Sequence, residues 1–198
     1  IERYNKNKFD PESIAKIYYQ AGATCISVLT DGPSFQGKSR DLKIVRKSSP
    51  LPVLRKDFIF DEIQVLESRF LGADCILIIM AAVSDSEARA IEKMAFHLNM
   101  DCIIEIHSRS ELDRALKLGS RLIGINNRDL NTFKTDINTT KSLKAFIPDE
   151  YHVISESGLL NRKDLEKVSK SNINSFLIGE TFMRSKNIKN DLSYLLGS

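Results

Sequence analysis

The amino-acid sequence predicts an α/β fold, and more specifically a (β/α)8 TIM barrel of which seven of the eight strands are visible. Short apolar runs alternate with amphipathic stretches from one end of the chain to the other. The mean spacing of the runs is about 25 residues, which is short for two Rossmann halves but suits the repeating βα units of a barrel. The runs begin near Ala23, Leu51, Asp74, Asp101, Arg121, His152 and Ser175.

Charged side chains end three of these runs, namely Lys56, Glu105 and Glu156. A parallel strand is covered on both faces, so it cannot direct a charge at packed helices without a large desolvation cost. The open mouth at the carboxyl ends of the strands is the tolerable direction, and α/β barrels keep their chemistry there. The sequence therefore predicts an enzyme.

The stretches between the runs carry the start and stop signals of helices. Asp10 before Pro11 predicts an N-cap and a first helical residue, and Gly22 is expected to close that helix. Capping-box spacing or a close variant recurs at Asp61 with Gln64, Ser84 with Glu87, and Ser108 with Glu111. Gly72 and Gly119 are expected to stop two helices, and a last helix is expected at about Lys186–Leu196.

Length and composition indicate one soluble domain over residues 1–198. The apolar share of 42% and the charged share of 28% are ordinary, and the net charge of +3 is spread along the chain. A nucleic-acid surface would concentrate its lysines, so no nucleic-acid partner is expected, whereas a small anionic substrate suits the charge. No signal peptide or membrane span is found, and the expected location is the cytoplasm.

The cysteines and histidines predict neither disulfides nor a metal site. Cys25, Cys75 and Cys102 lie in apolar runs without Cys-x-x-Cys spacing, and they are expected to be small buried hydrophobes. The histidines His97, His107 and His152 are scattered, so no metal is implied. No dinucleotide, Walker A or nucleophile-elbow motif is present, and no cofactor is expected.

A phosphate site is predicted at the ends of the last two runs. Ser155-Glu156-Ser157-Gly158 ends one run, and Gly179-Glu180 ends the next. In phosphate-binding barrels these two loops bind the anion through backbone N–H groups, and glycine allows the close approach. Arg128 follows the preceding run and could add a guanidinium, although a solvated loop arginine is an equal alternative from this residue alone.

An acid–base set is predicted from the other strand ends. Glu105 lies among isoleucines, so burial is expected to raise its pKa towards the range that suits proton transfer. Lys56 near carboxylates is expected to stay protonated as a general acid, with Glu156 orienting it or binding substrate hydroxyls. Asn126, at the end of the run that precedes Arg128, is an uncharged side chain that can both donate and accept hydrogen bonds. Apolar walls for a flat ring would come from Phe35, Phe58 and Leu77.

Taken together, these motifs resemble the indole-3-glycerol-phosphate synthase family. The blocks that carry the resemblance are Ile26–Asp31, Leu51–Phe58, Ile123–Leu130, Ser155–Gly158 and Leu177–Glu180. The resemblance runs in register from Phe9 to the C-terminus. It implies a cofactor-free lyase of tryptophan biosynthesis that closes 1-(2-carboxyphenylamino)-1-deoxyribulose 5-phosphate to an indole with loss of CO₂ and water.

The resemblance also implies a role for each site residue. Lys56 is the expected general acid at the ketone oxygen, Glu105 takes part in proton transfer, and Asn126 and Glu156 position the substrate. Residues at phosphate-binding or pocket-lining positions are Arg128, Ser157, Gly158, Gly179 and Glu180. The walls of the anthranilate pocket are Phe35, Phe58 and Leu77. The small phosphorylated substrate is the only expected partner, and family members are often monomeric.

The chain departs from the family pattern at its front. The Glu-x-Lys-x-x-Ser-Pro-Ser block of the first barrel strand and the extra N-terminal helix are not found, so the barrel is expected to be N-terminally incomplete. One alternative is therefore an impaired fragment that binds phosphate ligands or self-associates through two exposed sheet edges. Another is a phosphoribosylanthranilate isomerase-like barrel, which would call for a cysteine near the first strand and an aspartate, whereas Lys56 and Glu105 occupy strand ends here.

Overall fold

The computed structural model describes residues 9–129 and 132–197, so Leu130, the last residue of one motif above, lies outside the described residues. The described residues contain a seven-stranded, fully parallel sheet whose strand order follows the chain. The strands are β1 (Ile26–Leu29), β2 (Val53–Lys56), β3 (Cys75–Ile79), β4 (Asp101–Ile106), β5 (Leu122–Asn126), β6 (His152–Glu156) and β7 (Ser175–Leu177).

Helices connect the strands, because parallel neighbours require crossover connections. They are α1 (Pro11–Gln20), α2 (Gly32–Phe35), α3 (Ser39–Ser48), α4 (Glu62–Leu71), α5 (Asp85–His97), α6 (Arg109–Ala115), α7 (Asn138–Lys144), α8 (Arg162–Ser169), α9 (Glu180–Arg184) and α10 (Ile188–Leu196). All seven predicted strands are confirmed. The curled sheet with helices on its outer face is the TIM-barrel architecture that the spacing predicted.

The helix signals are largely confirmed. Asp10 caps α1 and accepts a hydrogen bond from the Glu12 N–H, and Asp61 and Ser84 each form a complete capping box. Gly72 ends α4 in the left-handed conformation, at φ +98°. The expectation for Gly119 was wrong, because α6 already ends at Ala115. The N–H of Gly119 instead donates to the Glu92 carboxylate of α5.

Two apolar layers hold the strands in place. The larger layer packs the outward faces of the strands against the helices, and includes Ile76, Ile104 and Ile125, none of which is exposed. The smaller layer lies on the inner face of the sheet and consists of Leu54, Leu77, Ile79 and Ile103, with Phe58, Cys75, Leu122, Ile154 and Leu177 packed against it. Side chains alternate between the two faces of a strand. Residues two positions apart in a strand therefore share a face. The polar residues that follow the inner apolar residues by two positions lie on the inner face of the sheet, directly above the smaller apolar layer.

The sheet is open between β1 and β7. Within the described residues β1 pairs only with β2 and β7 only with β6, so each keeps one free edge. The side chain of Leu29 in β1 remains 39% exposed. This arrangement agrees with the expectation of seven visible strands.

The cysteines follow the sequence expectation only in part. Cys102 is buried and Cys75 half-buried, but Cys25 is exposed just ahead of β1, so the expectation that all three are buried was wrong. Across the described part of the chain, no helix is long and apolar enough to cross a membrane.

Candidate active site

A lysine between two carboxylates forms the centre of the site. Nζ of Lys56, at the end of β2, lies 2.8 Å from Oε2 of Glu105 on β4 and 3.0 Å from Oε2 of Glu156 on β6. Both carboxylates are almost completely buried, whereas the lysine side chain keeps 22% of its surface exposed. Lys56 and Glu156 end their strands, and Glu105 is the last residue but one of β4. All three lie at the carboxyl ends of parallel strands, so the tilted sheet brings together groups that are far apart in sequence.

The two carboxylates have opposite pKa shifts. Burial alone would raise both values, but Lys56, His107 and Asn126 outweigh it at Glu105 and lower the pKa there. At Glu156 burial and the charge of Glu105 prevail over the attraction of Lys56 and raise the pKa to about 7. The expectation that burial raises the pKa of Glu105 was therefore wrong, because the sequence did not show how close the lysine lies. The raised pKa belongs to Glu156.

Burial disfavours the charge on Lys56, yet the two carboxylates outweigh it. Glu156 and then Glu105 raise the pKa of the lysine above its ordinary value. The side chain is consequently protonated and positively charged at neutral pH, and part of its surface is exposed to the mouth of the barrel. Such a group can donate to an oxygen that gains negative charge during a reaction.

Asn126 extends the cluster along β5. Its side-chain N–H group donates to Oε1 of Glu105 at 3.2 Å, and its Oδ1 accepts the N–H of Arg128 at 3.0 Å. Two residues earlier in the same strand, Gly124 faces the carboxylate of Glu156, and a Cβ atom at position 124 would overlap it. Gly124 was not singled out from the sequence, although a glycine inside a strand signals a close approach.

The predicted phosphate loops lie at the ends of β6 and β7. Ser157 and Gly158 both have positive φ angles, of 64° and 72°, so the chain turns sharply there. Gly179 is exposed, and a Cβ at that position would meet no atom within 4 Å, which leaves its backbone open to a ligand. Arg128 donates to Glu180 at 2.6 Å, and Glu180 also pairs with Arg184 at 2.7 Å. The structure thus brings Arg128 to the predicted phosphate loops.

The three side chains predicted to enclose the aromatic ring of the substrate lie partly at the mouth of the barrel and partly in the apolar layer below it. Phe58 is half-buried above the inner apolar layer, with its ring stacked on Phe60 at 6.3 Å between centroids. Phe35 is half-buried at the end of α2. Leu77 is only 1% exposed and lies within the inner layer, so it contributes to the floor below Lys56.

A buried polar network that the sequence analysis missed fixes the β5 and β6 ends. The side-chain amide of Asn127 donates to Oγ of Ser155 and to the carbonyl of Ser157, each at 3.1 Å. Its oxygen accepts from the N–H and the hydroxyl of Thr140. Asn127 therefore ties the Ser157 loop to β5 and α7. The adjacent pair Asn126-Asn127 at the end of β5 was the available signal, because successive side chains of an extended chain point to opposite faces and one of the two must face away from the barrel interior.

Arg55 forms a second missed network, on the outer face of β2. Its guanidinium is buried and donates to Thr30, Asp57, Glu67, Ser68 and the carbonyl of Gln64. Since Lys56 is the next residue, these contacts anchor the strand that carries the lysine.

Metal binding has no support in the described residues, none of which forms a group of three or more His, Cys, Asp or Glu side chains suited to an ion. The histidines are far from forming a set: His97 ends α5, and His152 begins β6 at the opposite end from the mouth. His107, in contrast, contacts the cluster, with Nε2 3.5 Å from Oε1 of Glu105. The sequence analysis did not give it a role.

A barrel with a lysine and two carboxylates at the carboxyl ends of its strands defines an α/β-barrel enzyme that works by acid–base chemistry. Comparison with known proteins gives the particular family. The sequence profile of indole-3-glycerol phosphate synthase matches residues 4–195. The chain belongs to the indole-3-glycerol phosphate synthase family.

Individual relatives agree with this assignment. The indole-3-glycerol phosphate synthase of Azospirillum brasilense is 49% identical over 180 residues, which are 91% of this chain and 69% of that protein. The enzyme of the same name from Legionella pneumophila (strain Lens) is 47% identical over 191 residues, covering 96% of this chain and 74% of the relative. The expected synthase function and its class, a carboxy-lyase of tryptophan biosynthesis that acts on a small phosphorylated molecule, are thereby confirmed.

Solved structures support the fold. A crystal structure of 3-hexulose-6-phosphate synthase superposes with a TM-score of 0.74 at 14% identity, over 94% of this chain and 93% of the other. Thiamine phosphate pyrophosphorylase from Pyrococcus furiosus gives a TM-score of 0.73 at 15% identity, over 98% and 91% of the two chains. At such low identity these matches show the architecture alone.

Proposed function

We propose that Lys56, Glu105, Asn126 and Glu156 carry out the ring closure of 1-(2-carboxyphenylamino)-1-deoxyribulose 5-phosphate. The observation that carries the proposal is the placement of Nζ of Lys56, 2.8 and 3.0 Å from two buried carboxylates near the carboxyl ends of other strands. A buried lysine with two carboxylates at the mouth suits proton transfer to and from a bound substrate.

The first step forms a carbon–carbon bond. The ring carbon that carries the carboxylate attacks the keto carbon, and the electron pair of the C=O bond moves to its oxygen. Lys56 donates the proton that this oxygen requires, because its raised pKa keeps it charged until the oxygen becomes basic. The C–COO⁻ bond then breaks, and its electron pair restores the aromatic ring as CO₂ leaves.

The second half of the reaction removes water. The new hydroxyl leaves with a proton as water, and the methylene carbon between the nitrogen and the former keto carbon loses a proton as the indole double bond forms. Glu156, with its pKa raised to about 7, exists in both protonation states near neutral pH and suits one of these transfers. Glu105 stays ionised, so it accepts a proton or stabilises the cationic intermediate. Asn126 holds Glu105 in place through its 3.2 Å hydrogen bond.

The phosphate of the substrate is assigned to the loops after β6 and β7. The backbone N–H groups near Ser157, Gly158 and Gly179 supply donors, and the guanidinium of Arg128 supplies charge. Glu180 holds Arg128 towards this region before the substrate arrives. An anion there would compete with the Glu180 carboxylate for the same guanidinium.

The anthranilate ring is assigned to the apolar surface beside Lys56. Phe58 and Phe35 flank the mouth, and Leu77 forms part of the floor. A ring enclosed in this way would place its carboxylate-bearing carbon near the lysine proton. Exclusion of water by these side chains strengthens the electrostatic effect of the cluster.

The proposal is tested by the fluorescence of the indole product. Lys56→Met should reduce turnover by several orders of magnitude while the affinity for the phosphorylated product stays within a few-fold, because the loops that bind phosphate are untouched. Arg121→Met, at the other end of the barrel, serves as the control. Turnover of Lys56→Met near that of the control would disprove the role of the lysine.

A second property is supported by the open sheet. Among residues 9–129 and 132–197, nothing pairs with the outer edges of β1 and β7, and such edges favour strand pairing between molecules. Self-association of this chain is therefore expected to rise with concentration, and light scattering across a dilution series measures it. A monomer at all concentrations would contradict it. The biosynthetic role favours a cytoplasmic location.

A further inference from the structure

The ring of His107 bridges two carboxylates at the rim of the barrel. His107 follows Ile106, the last residue of β4, and precedes α6. Its Nδ1 lies 3.1 Å from Oε2 of Glu111, and its Nε2 lies 3.5 Å from Oε1 of Glu105. Only 13% of the side chain is exposed, and Nε2 is buried without a hydrogen-bond partner. A buried ring nitrogen of this kind, next to a carboxylate of the site, needs an explanation.

Glu111 fixes the imidazole of His107 on the side that faces away from Glu105. It lies in the first turn of α6, where a capping box would direct its carboxylate to the N–H of Ser108. The carboxylate instead accepts the N–H of His107 at 2.8 Å and the hydroxyl of Ser108 at 2.9 Å. These bonds fix the position of Oε2, and Oε2 in turn fixes the imidazole. The spacing Glu105-x-His107-x-x-x-Glu111 is thus one connected unit that runs from the centre of the cluster to the rim.

We propose that His107 is a positioning residue for Glu105: anchored on Glu111, its imidazolium holds the Glu105 carboxylate ionised and directed at Lys56. The inference rests on the proposed role of Glu105 in proton transfer. No proton leaves the ring in this role. The second N–H of the cation faces Oε1 of Glu105 as a charge contact at 3.5 Å without forming a hydrogen bond, while Lys56 and Asn126 donate hydrogen bonds to the same carboxylate.

The charges around the ring favour its cationic form. The groups that face it are Glu105 on β4, Glu111 on α6 and Glu156 on β6, with Lys56 beyond the first. Burial disfavours the charge, but the hydrogen bond to Glu111 and the fields of the three carboxylates outweigh it and raise the pKa of His107. The interaction is mutual, since His107 helps to lower the pKa of Glu105 and of Glu111. Deprotonation of the ring would leave Glu105 with less positive charge around it.

The proton affinity of the ring tests the inference without any need for turnover. A variant with His97→Gln and His152→Gln retains one histidine, whose Cε1–H resonance is followed by NMR as the pH changes. We expect the midpoint to lie above that of an ordinary exposed histidine, and to fall on Glu105→Gln and again on Glu111→Gln. A midpoint that neither substitution moves would overturn the inference, because the ring would then not be coupled to either carboxylate.

Kinetics separate a positioning role from a merely structural one. His107→Gln keeps a donor of similar length but no charge, and is expected to lower kcat about tenfold with little change in KM. Loss of the cation should raise the pKa of Glu105 and move the acidic limb of the kcat profile to higher pH, whereas His97→Gln should leave kcat unchanged. If Lys56→Met retains turnover, the proposed catalytic set fails. If Lys56→Met abolishes turnover while His107→Gln leaves the kcat profile unchanged, only the role of His107 fails.

Discussion

Gly124 on β5 lies directly against the carboxylate of Glu156 on β6, so closely that even a methyl group at position 124 would overlap Oε1 of the glutamate. The branched side chain of Ile103 closes the space from the other side. The position of the Glu156 carboxylate, 3.0 Å from Lys56, therefore depends on the absence of a side chain in the neighbouring strand.

Gly124→Ala is expected to displace the Glu156 carboxylate and weaken its contact with Lys56. Overpacking of a buried site costs about 1–3 kcal/mol, so the free energy of unfolding in urea should fall by that amount and kcat should fall with it. Gly32→Ala is the matched control, since a Cβ there would meet its nearest atom at 3.8 Å. Unchanged kcat and stability in Gly124→Ala would show that the cluster tolerates the displacement.

The raised pKa of Glu156 predicts a pH-dependent stability. A carboxyl whose pKa is about 7 in the folded state and near 4.5 when unfolded binds protons more tightly in the folded state. Its favourable contribution is complete below about pH 4.5 and is lost as the pH rises to 7, at about 1.4 kcal/mol per pKa unit. Glu156→Gln removes this loss, so the variant should gain stability relative to the unmodified chain between pH 5 and 7.

Urea unfolding of both proteins at several pH values measures that difference. The raised pKa of His107 also makes stability fall as pH rises, but it is present in both proteins and largely cancels in the comparison. Glu105 has a lowered pKa and loses its contribution only at more acidic pH. A difference that does not vary with pH would mean that Glu156 is ionised throughout the range.

Arg128→Met is expected to weaken the binding of the phosphorylated product. A hydrogen bond to a charged group contributes about 1.5–3 kcal/mol, so the dissociation constant should rise roughly tenfold to a hundredfold in calorimetric titrations. Arg121→Met, whose guanidinium lies over the ring of Tyr151 at the other end of β5, should bind as the unmodified chain does. Equal affinities of the two variants would remove Arg128 from the phosphate site.

Asn127→Ala is expected to destabilise the protein more than an ordinary polar substitution. The amide makes four hydrogen bonds, and its loss leaves the buried groups of Ser155 and Thr140 short of partners, at a cost of about 2–4 kcal/mol in unfolding free energy. The loop of Ser157 should also loosen and raise the KM for the substrate. Asn174→Ala, on the exposed surface, is the control and should change stability by less than about 0.5 kcal/mol. A cost no greater than that of the control would show that water replaces the amide.

The sequence by itself determined the order of the elements and the end of the barrel at which the chemistry lies. Apolar runs at regular spacing can form parallel strands only if helices connect them, and a charge that ends such a run has one tolerable direction. Lys56, Glu105 and Glu156 were therefore identified before any contact was known. Caps such as Ser84 with Glu87 were readable because their partners are only three residues apart.

Only the tertiary structure decided how these groups affect one another. The pKa of a carboxyl depends on which charges lie within a few ångströms, and Lys56 and Glu156 are separated by 100 positions in the chain. The sequence therefore assigned the raised pKa to Glu105, whereas the geometry gives it to Glu156. The contact of His107 with Glu105 and the space beside Gly124 depend likewise on strand register and side-chain direction, which packing across the sheet sets and local sequence does not.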